Sequence, residues 1–256
     1  MKAAFISGTS IVNSTLFSSW DVKTVETKYG PVTYKAKGDH ALINRHGYAF
    51  PLPPHSINYR ANISALAALG FKDVVSLNSV GSLKRELPPG TFVSCSDYVG
   101  LQQGPATFFD TELRGGAPGI ANNLIPKLVA GLAPEFTIHP GKVYVQMRGP
   151  RFETKAEIRV VKDWGDVIGM TAARELFGSV EPSPLLHPRP MGNRLPVQID
   201  VIAQLRRGTF PTLARDRQVA DERVSQHVDR LFGGRELVDR GRLRTHRIAR
   251  ALAFER

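Results

Sequence analysis

The chain has 256 residues, 42% hydrophobic and 22% charged: long enough to bury a sizeable core as one large or two modest domains, and neither disordered nor fibrous in composition. The absence of any apolar run of about eighteen residues excludes a membrane-spanning helix. A single cysteine, Cys95, excludes an intramolecular disulfide and fits a reducing cytoplasm.

In chain order, "KAAFISG" reads as a first buried strand turning at Gly8 rather than as a signal peptide, because its apolar run is only a few residues long. "KTVETKYGPVTYKAKG" alternates about a Gly30-Pro31 turn and predicts a hairpin. "HALINRHG" is a short strand that leaves Arg45 and His46 at its end. "SINYRANISALAALG" predicts an amphipathic helix with Ile63, Leu66, Ala67 and Leu69 on one face and Gly70 as its stop. "DVVSLNSVGSL" predicts a strand running into a glycine turn, and "TFVSCSDYVG" another strand with Cys95 in the core. There follow a helix over "IANNLIPKLVAGLA", strained by Pro126, a strand over "KVYVQMRGP", a helix over "TKAEIRVVKDWG" and a strand over "DVIGM". Strands alternating with helices predict an α/β fold with a largely parallel or mixed sheet.

The chain changes character near residue 176. Residues 1–175 carry 19 basic against 14 acidic residues, and residues 176–256 carry 15 against 9. All eleven lysines precede residue 176, every basic residue after it is arginine, and no tyrosine or tryptophan follows Trp164. "RDRQVADERVSQHVDRLFGG" has helical spacing at Val219, Val224, Val228 and Leu231, and the closing stretch is a basic tail; neither reads as a strand with a pocket loop. The net charge of +11 raises nucleic acid as a partner, but this arginine-rich segment is interleaved with acids and not with aromatics, which disfavours that reading.

Polar and glycine residues gather at predicted strand ends, where open α/β sheets bind ligands. Thr9 sits in "ISGTS", Arg45 and His46 in "NRHG", Asn78 and Ser79 in "LNSVGSL", and Thr171 in "GMT". Turn N–H groups and an arginine fork suit an oxyanion. No His, Cys, Asp and Glu residues cluster with metal-ligand spacing.

"NRHGYAFPLPPHSINYRANISALAALG", "LNSVGSLKRELPPGTFV", "TFFD", "GPRFETKAEIR" and "VIGMT" together resemble the methylthioadenosine phosphorylase branch of the purine nucleoside phosphorylases, from Phe5 to about Glu175. The resemblance implies a mixed β-sheet core surrounded by helices, a homotrimer in the cytoplasm, and no cofactor beyond inorganic phosphate as co-substrate. It implies cleavage of a purine nucleoside or 5′-methylthioadenosine by phosphate, releasing free base and pentose 1-phosphate. Thr9, Arg45, His46, Asn78, Ser79 and Thr171 would form the phosphate site, and Phe152 and Met170 would line the nucleoside.

Departures are visible within the matching part: the first glycine loop is only "ISGTS", Phe50 stands where the family often has histidine, and "WGDVIGMT" lacks the family's alanine. The larger departure follows Glu175. The family continues to a strand whose loop supplies an Asp or Asn to purine N7, and no residue from 176 to 256 takes that role by motif, so the catalytic base-side group is unassigned. Asp200, in "VQIDVIAQ", lies in the right region among unmatched neighbours. The division expected is therefore residues 1–175 as a phosphorylase-like domain lacking its closing strand, and residues 176–256 as an atypical segment. That segment is either a genuine replacement tail or the product of a shifted reading frame. An Arg-, Pro- and Gly-rich, Lys-poor composition is what a shifted GC-rich frame yields, and Met191-Gly192 forces a tryptophan codon in one neighbouring frame.

Overall fold

The computed structural model describes residues 2–8, 17–48, 51–101, 107–108, 116–117, 120, 124–132, 137–176, 181–182 and 198–205. The first strand, β1 (Ala3–Ser7), is buried along its whole length. It lies between two parallel neighbours, β4 (His40–Asn44) and β5 (Asp73–Ser82). Helices or loops cover both faces of such a central strand, which is why "AAFIS" is apolar without alternation. The predicted hairpin is present: β2 (Asp21–Val25) and β3 (Val32–Lys37) pair antiparallel around Gly30, whose φ of 113° requires glycine. β3 joins β4, so β2 forms one margin of the sheet and is correspondingly exposed.

Helix α1 (Tyr59–Ala68) begins at Asn58, whose side-chain oxygen accepts the Ala61 N–H at 3.0 Å while its amide donates to the Tyr29 carbonyl at 2.8 Å. One residue thus caps the helix and ties it to the hairpin loop. Ala61, Asn62, Ile63, Ala65 and Leu66 are buried, a broader face than the four predicted positions, and Ala67 and Leu69 lie at its edge. Gly70, at φ +73°, ends the helix as expected.

Three expectations are corrected. Gly81 does not turn the chain: β5 runs through it to Ser82 because the backbone there pairs with β9 (Val167–Gly169), Gly81 opposite Ile168. Pro126 does not strain its helix. Helix α2 (Ile125–Leu132) starts one residue earlier, so the proline falls in the first turn, where N–H groups have no intrahelical acceptor to lose. The third correction concerns the segment beyond residue 176, which supplies a strand, β11 (Gln198–Leu205). It pairs parallel with β5 from Asp73 to Val80 and antiparallel with β6 (Phe92–Val99). Asp200 lies mid-strand opposite Val75, and the helix expected from Val219 to Leu231 falls outside the described residues.

β6 continues to β8 (Ile138–Gln146), β8 to β9, and β9 back to β5. Five strands, β5, β9, β8, β6 and β11, therefore close on themselves, and β1, β4, β3 and β2 extend from β5 as a wing. β7 (Gly116–Ala117) and β10 (Glu181–Pro182) form a separate two-residue ribbon. Helix α3 (Lys155–Val161) is opened by a full capping box between Thr154 and Glu157. The four-residue helix α4 (Ala172–Glu175) follows β9 and buries Ala172 and Ala173. One large core cluster runs through both parts, from Ile6, Ile43 and Leu66 to Cys95, Tyr144 and Leu176. Burial pushes the Cys95 thiol up to about 12, so at neutral pH it is protonated and packs as an apolar group.

Candidate active site

The parallel pairing of β1, β4 and β5 brings Gly8, Arg45 and Asn78 to one end of the sheet. The chain leaving β4 stays on β1, because Arg45 N–H donates to the Ser7 carbonyl at 2.8 Å. A tight turn follows, in which Gly47 N–H returns to the Asn44 carbonyl and Asn44 Oδ1 accepts His46 N–H at 3.2 Å. The His46 ring is oriented by its own segment: Nδ1 lies 2.6 Å from the Leu52 carbonyl, an acceptor only, so Nδ1 carries the hydrogen and donates. Nε2 then faces Gly8, where a Cβ would lie 3.6 Å from it and 3.2 Å from Arg45 Nη1. Glycine keeps open the space on which the cation and the imidazole converge.

Arg45 is 3% exposed. Its Nε donates to Glu175 Oε1 at 2.5 Å, and Nη2 reaches Glu175 Oε2, Ser76 Oγ and the Leu77 and Ile6 carbonyls. Nη1 has one acceptor among the described residues, the Leu77 carbonyl at 3.0 Å, so its second N–H remains on the Gly8 side. A buried guanidinium without a carboxylate would be an uncompensated charge; Glu175, equally buried, supplies the compensation.

The antiparallel return of β9 along the end of β5 explains the meeting of Thr171 and Asn78. Gly81 pairs with Ile168, so two or three residues further along β9 the chain has come back level with Asn78. There Thr171 Oγ1 donates to Asn78 Oδ1 at 2.9 Å, and Asn78 Nδ2 donates to Ser76 Oγ at 2.7 Å. Tyr144 fixes the same turn from below: its hydroxyl accepts the N–H groups of Thr171 at 3.2 Å and Ala172 at 3.4 Å. Burial raises this phenol well above its ordinary value, so it stays neutral.

Of the residues singled out from the sequence, Arg45, His46, Asn78 and Thr171 are brought together. Ser79 follows Asn78 in an unbroken strand register, which sends its side chain to the opposite face of the sheet. Met170 packs its thioether against Gly149, where a Cβ would lie 2.9 Å from the sulfur, and so holds the loop carrying Phe152 near Thr171. The Phe152 ring itself is 70% exposed. Thr9 and Phe50 lie outside the described residues. Sequence reading did not place Ser76, Tyr144 or Glu175 in the site; the one signal for Glu175 is that it is the lone acid in the short stretch Ala172–Leu176 after Thr171.

A mixed sheet that gathers Arg45, His46, Asn78 and Thr171 at one end defines the class, and the comparisons agree with it. The phosphorylase superfamily model matches residues 4–177, and the chain belongs to that family. It is 40% identical over 159 residues to a protein named probable S-methyl-5′-thioinosine phosphorylase in Methanocaldococcus jannaschii, covering 59% of this chain and 63% of that one. This chain thus spans under two thirds of that relative's length. It is 37% identical over 191 residues to a probable 6-oxopurine nucleoside phosphorylase of Thermococcus kodakarensis, covering 68% of this chain and 72% of the relative. Among solved structures, methylthioadenosine phosphorylase from Schistosoma mansoni superposes with a TM-score of 0.69 at 21% identity, over 89% of this chain and 87% of that one. At that identity the likeness is one of fold.

Proposed function

We propose that the protein cleaves the N-glycosidic bond of a purine nucleoside or of 5′-methylthioadenosine with inorganic phosphate, releasing the free base and a pentose 1-phosphate. The observation that carries this reading is the convergence of Arg45 Nη1 and His46 Nε2 on the space over Gly8, beside Thr171 and Asn78. The names of the relatives support it.

The chemistry follows from these residues. Rupture of the glycosidic bond leaves positive charge on the sugar, as in glycoside cleavage. An anion held over Gly8 both attacks the anomeric carbon and stabilises that charge as it forms. Arg45 contributes an N–H that cannot be lost to solvent, and His46 accepts a proton from the phosphate through Nε2. The Thr171 hydroxyl, now donating to Asn78, turns to the anion by rotation about its C–O bond. Fixing the nucleophile in this way removes much of the entropic cost of bringing it to the sugar. Met170 and Phe152 would border the nucleoside, Thr9 would complete the phosphate loop, and Ser79 contributes through its backbone. The base departs with the electron pair of the broken bond and takes up a proton. β11 ends at Leu205 opposite Val80, at this same end of the sheet.

The same reading includes a cytoplasmic enzyme of purine salvage, a homo-oligomer of trimeric type, needing phosphate but no metal or organic cofactor. It also divides the chain into a phosphorylase-like portion, residues 1–175, and the atypical segment 176–256. The test is chromatography of inosine, adenosine and 5′-methylthioadenosine incubated with the full chain, with and without phosphate. Phosphate-dependent appearance of free base is expected for at least one of them. Base release independent of phosphate, or none at all, overturns the reaction; thermal stabilisation by phosphate without release identifies a remnant that only binds.

A further inference from the structure

We propose that Glu175 is the positioning residue of the phosphate site: it does not touch the anion, but sets the one direction in which Arg45 can present its remaining N–H. The proposal rests on the phosphate site described above. Glu175 comes from α4, 130 residues away from Arg45 in sequence, and is 1% exposed. Its two oxygens take the Nε and Nη2 edge of the guanidinium, at 2.5 Å and 3.4 Å. A planar fork gripped along one edge has no freedom to rotate, so Nη1 is held at the opposite corner, toward Gly8.

The carboxylate is itself held. Ser76 Oγ–H donates to Glu175 Oε2, and the same serine oxygen accepts from Asn78 Nδ2, whose Oδ1 accepts the Thr171 hydroxyl. A continuous chain of hydrogen bonds therefore runs from Arg45 through Glu175, Ser76 and Asn78 to Thr171. Both groups expected on the anion, Arg45 and Thr171, are oriented by one buried carboxylate and its serine. A packing role alone would not require this polarity: Leu176, the next residue, is also fully buried and joins the core cluster through an apolar side chain.

Replacing the carboxylate by an amide keeps the shape and puts a donor against the donors of the guanidinium. Glu175→Gln is expected to raise the KM for phosphate about 10- to 100-fold, the range of one lost charge-assisted hydrogen bond. The KM for nucleoside should stay within about twofold, since nothing else in the site is touched. Glu175→Asp retains the charge and should recover part of the loss. Ser76→Ala, a smaller change, should raise the phosphate KM about 3- to 10-fold and serves if the glutamine variant does not fold. The same variants are compared by the phosphate concentration that half-saturates their thermal stabilisation, which needs no turnover. A folded Glu175→Gln or Ser76→Ala protein with unchanged phosphate KM and unchanged half-saturation overturns the proposal, as does an equal rise in both KM values. A wild-type chain that is stabilised by phosphate but releases no base sinks the reaction alone, and the half-saturation series still decides the role of Glu175. A wild type neither stabilised nor active sinks both.

Discussion

Glycine 169 shows how closely single atoms are set around the site. A Cβ at this position would overlap the Tyr144 hydroxyl, the atom that accepts the N–H groups of Thr171 and Ala172. Gly169→Ala must therefore displace a fully buried phenol or the turn that carries Thr171. Overpacking of this kind costs about 1–3 kcal/mol. The expected result is a melting temperature lowered by several degrees, read in a thermal melt, together with weaker phosphate stabilisation. An unchanged melt would mean that Tyr144 moves freely. At this scale the motifs identify Arg45, His46, Asn78 and Thr171, because each lies within three residues of a glycine. They do not reveal Tyr144 or Ser76. Such residues act through hydrogen bonds to partners distant in sequence, and a contact between residues 27 or 99 positions apart leaves no periodic trace.

Helix α3 is specified locally. Thr154 Oγ1 accepts the Glu157 N–H at 3.2 Å, Glu157 Oε2 accepts the Thr154 N–H at 2.6 Å, and Arg151 bridges the same carboxylate at 2.8 Å through two nitrogens. These donors hold the Glu157 carboxyl down to about 2, with the Arg151 hydrogen bond as the largest cause. A depressed carboxylate contributes its stability above its ordinary pKa of about 4.3 and loses it as pH falls through the folded value, so the cap should persist at pH 4 and open near pH 2. Carbon-13 NMR titration of the Glu157 carboxyl checks this, and a midpoint above 4 would contradict it. Thr154→Ala removes one side of the box and should destabilise the protein by about 1 kcal/mol. Sequence reading finds only the Gly70 stop; this cap and the Asn58 cap of α1 come from the structure, although both are written locally, as Thr-x-x-Glu and as Asn before an amphipathic run. Strand β11 was not read, because "VQIDVIAQL" is surrounded by arginine and proline and its alternation is short.

At the level of the whole molecule, β11 decides whether the sheet is open or closed. Val201 pairs with Ser76 on one side and Cys95 on the other, so its N–H is directed at one of two strands and never at solvent. Val201→Pro removes that donor and forces the ring into the ladder. An unpaired carbonyl in a buried sheet costs about 1–3 kcal/mol before any clash is counted. A clear drop in melting temperature or loss of soluble protein is expected. A variant as stable as wild type would show that the closure does not support the core.

The sequence by itself determined the alternation of strands and helices, the hairpin, the family, and the glycine-flanked motifs that hold Arg45, His46, Asn78 and Thr171. These depend on local propensity, on period and on glycine at close approach, all of which are written within a few neighbouring residues. Only the tertiary structure decided the closure of five strands by β11, the opposite facing of Ser79 and Asn78, and the joining of Arg45 to Glu175. Those depend on strand register and on burying two opposite charges in one desolvated place, and both arise only when distant segments pack together.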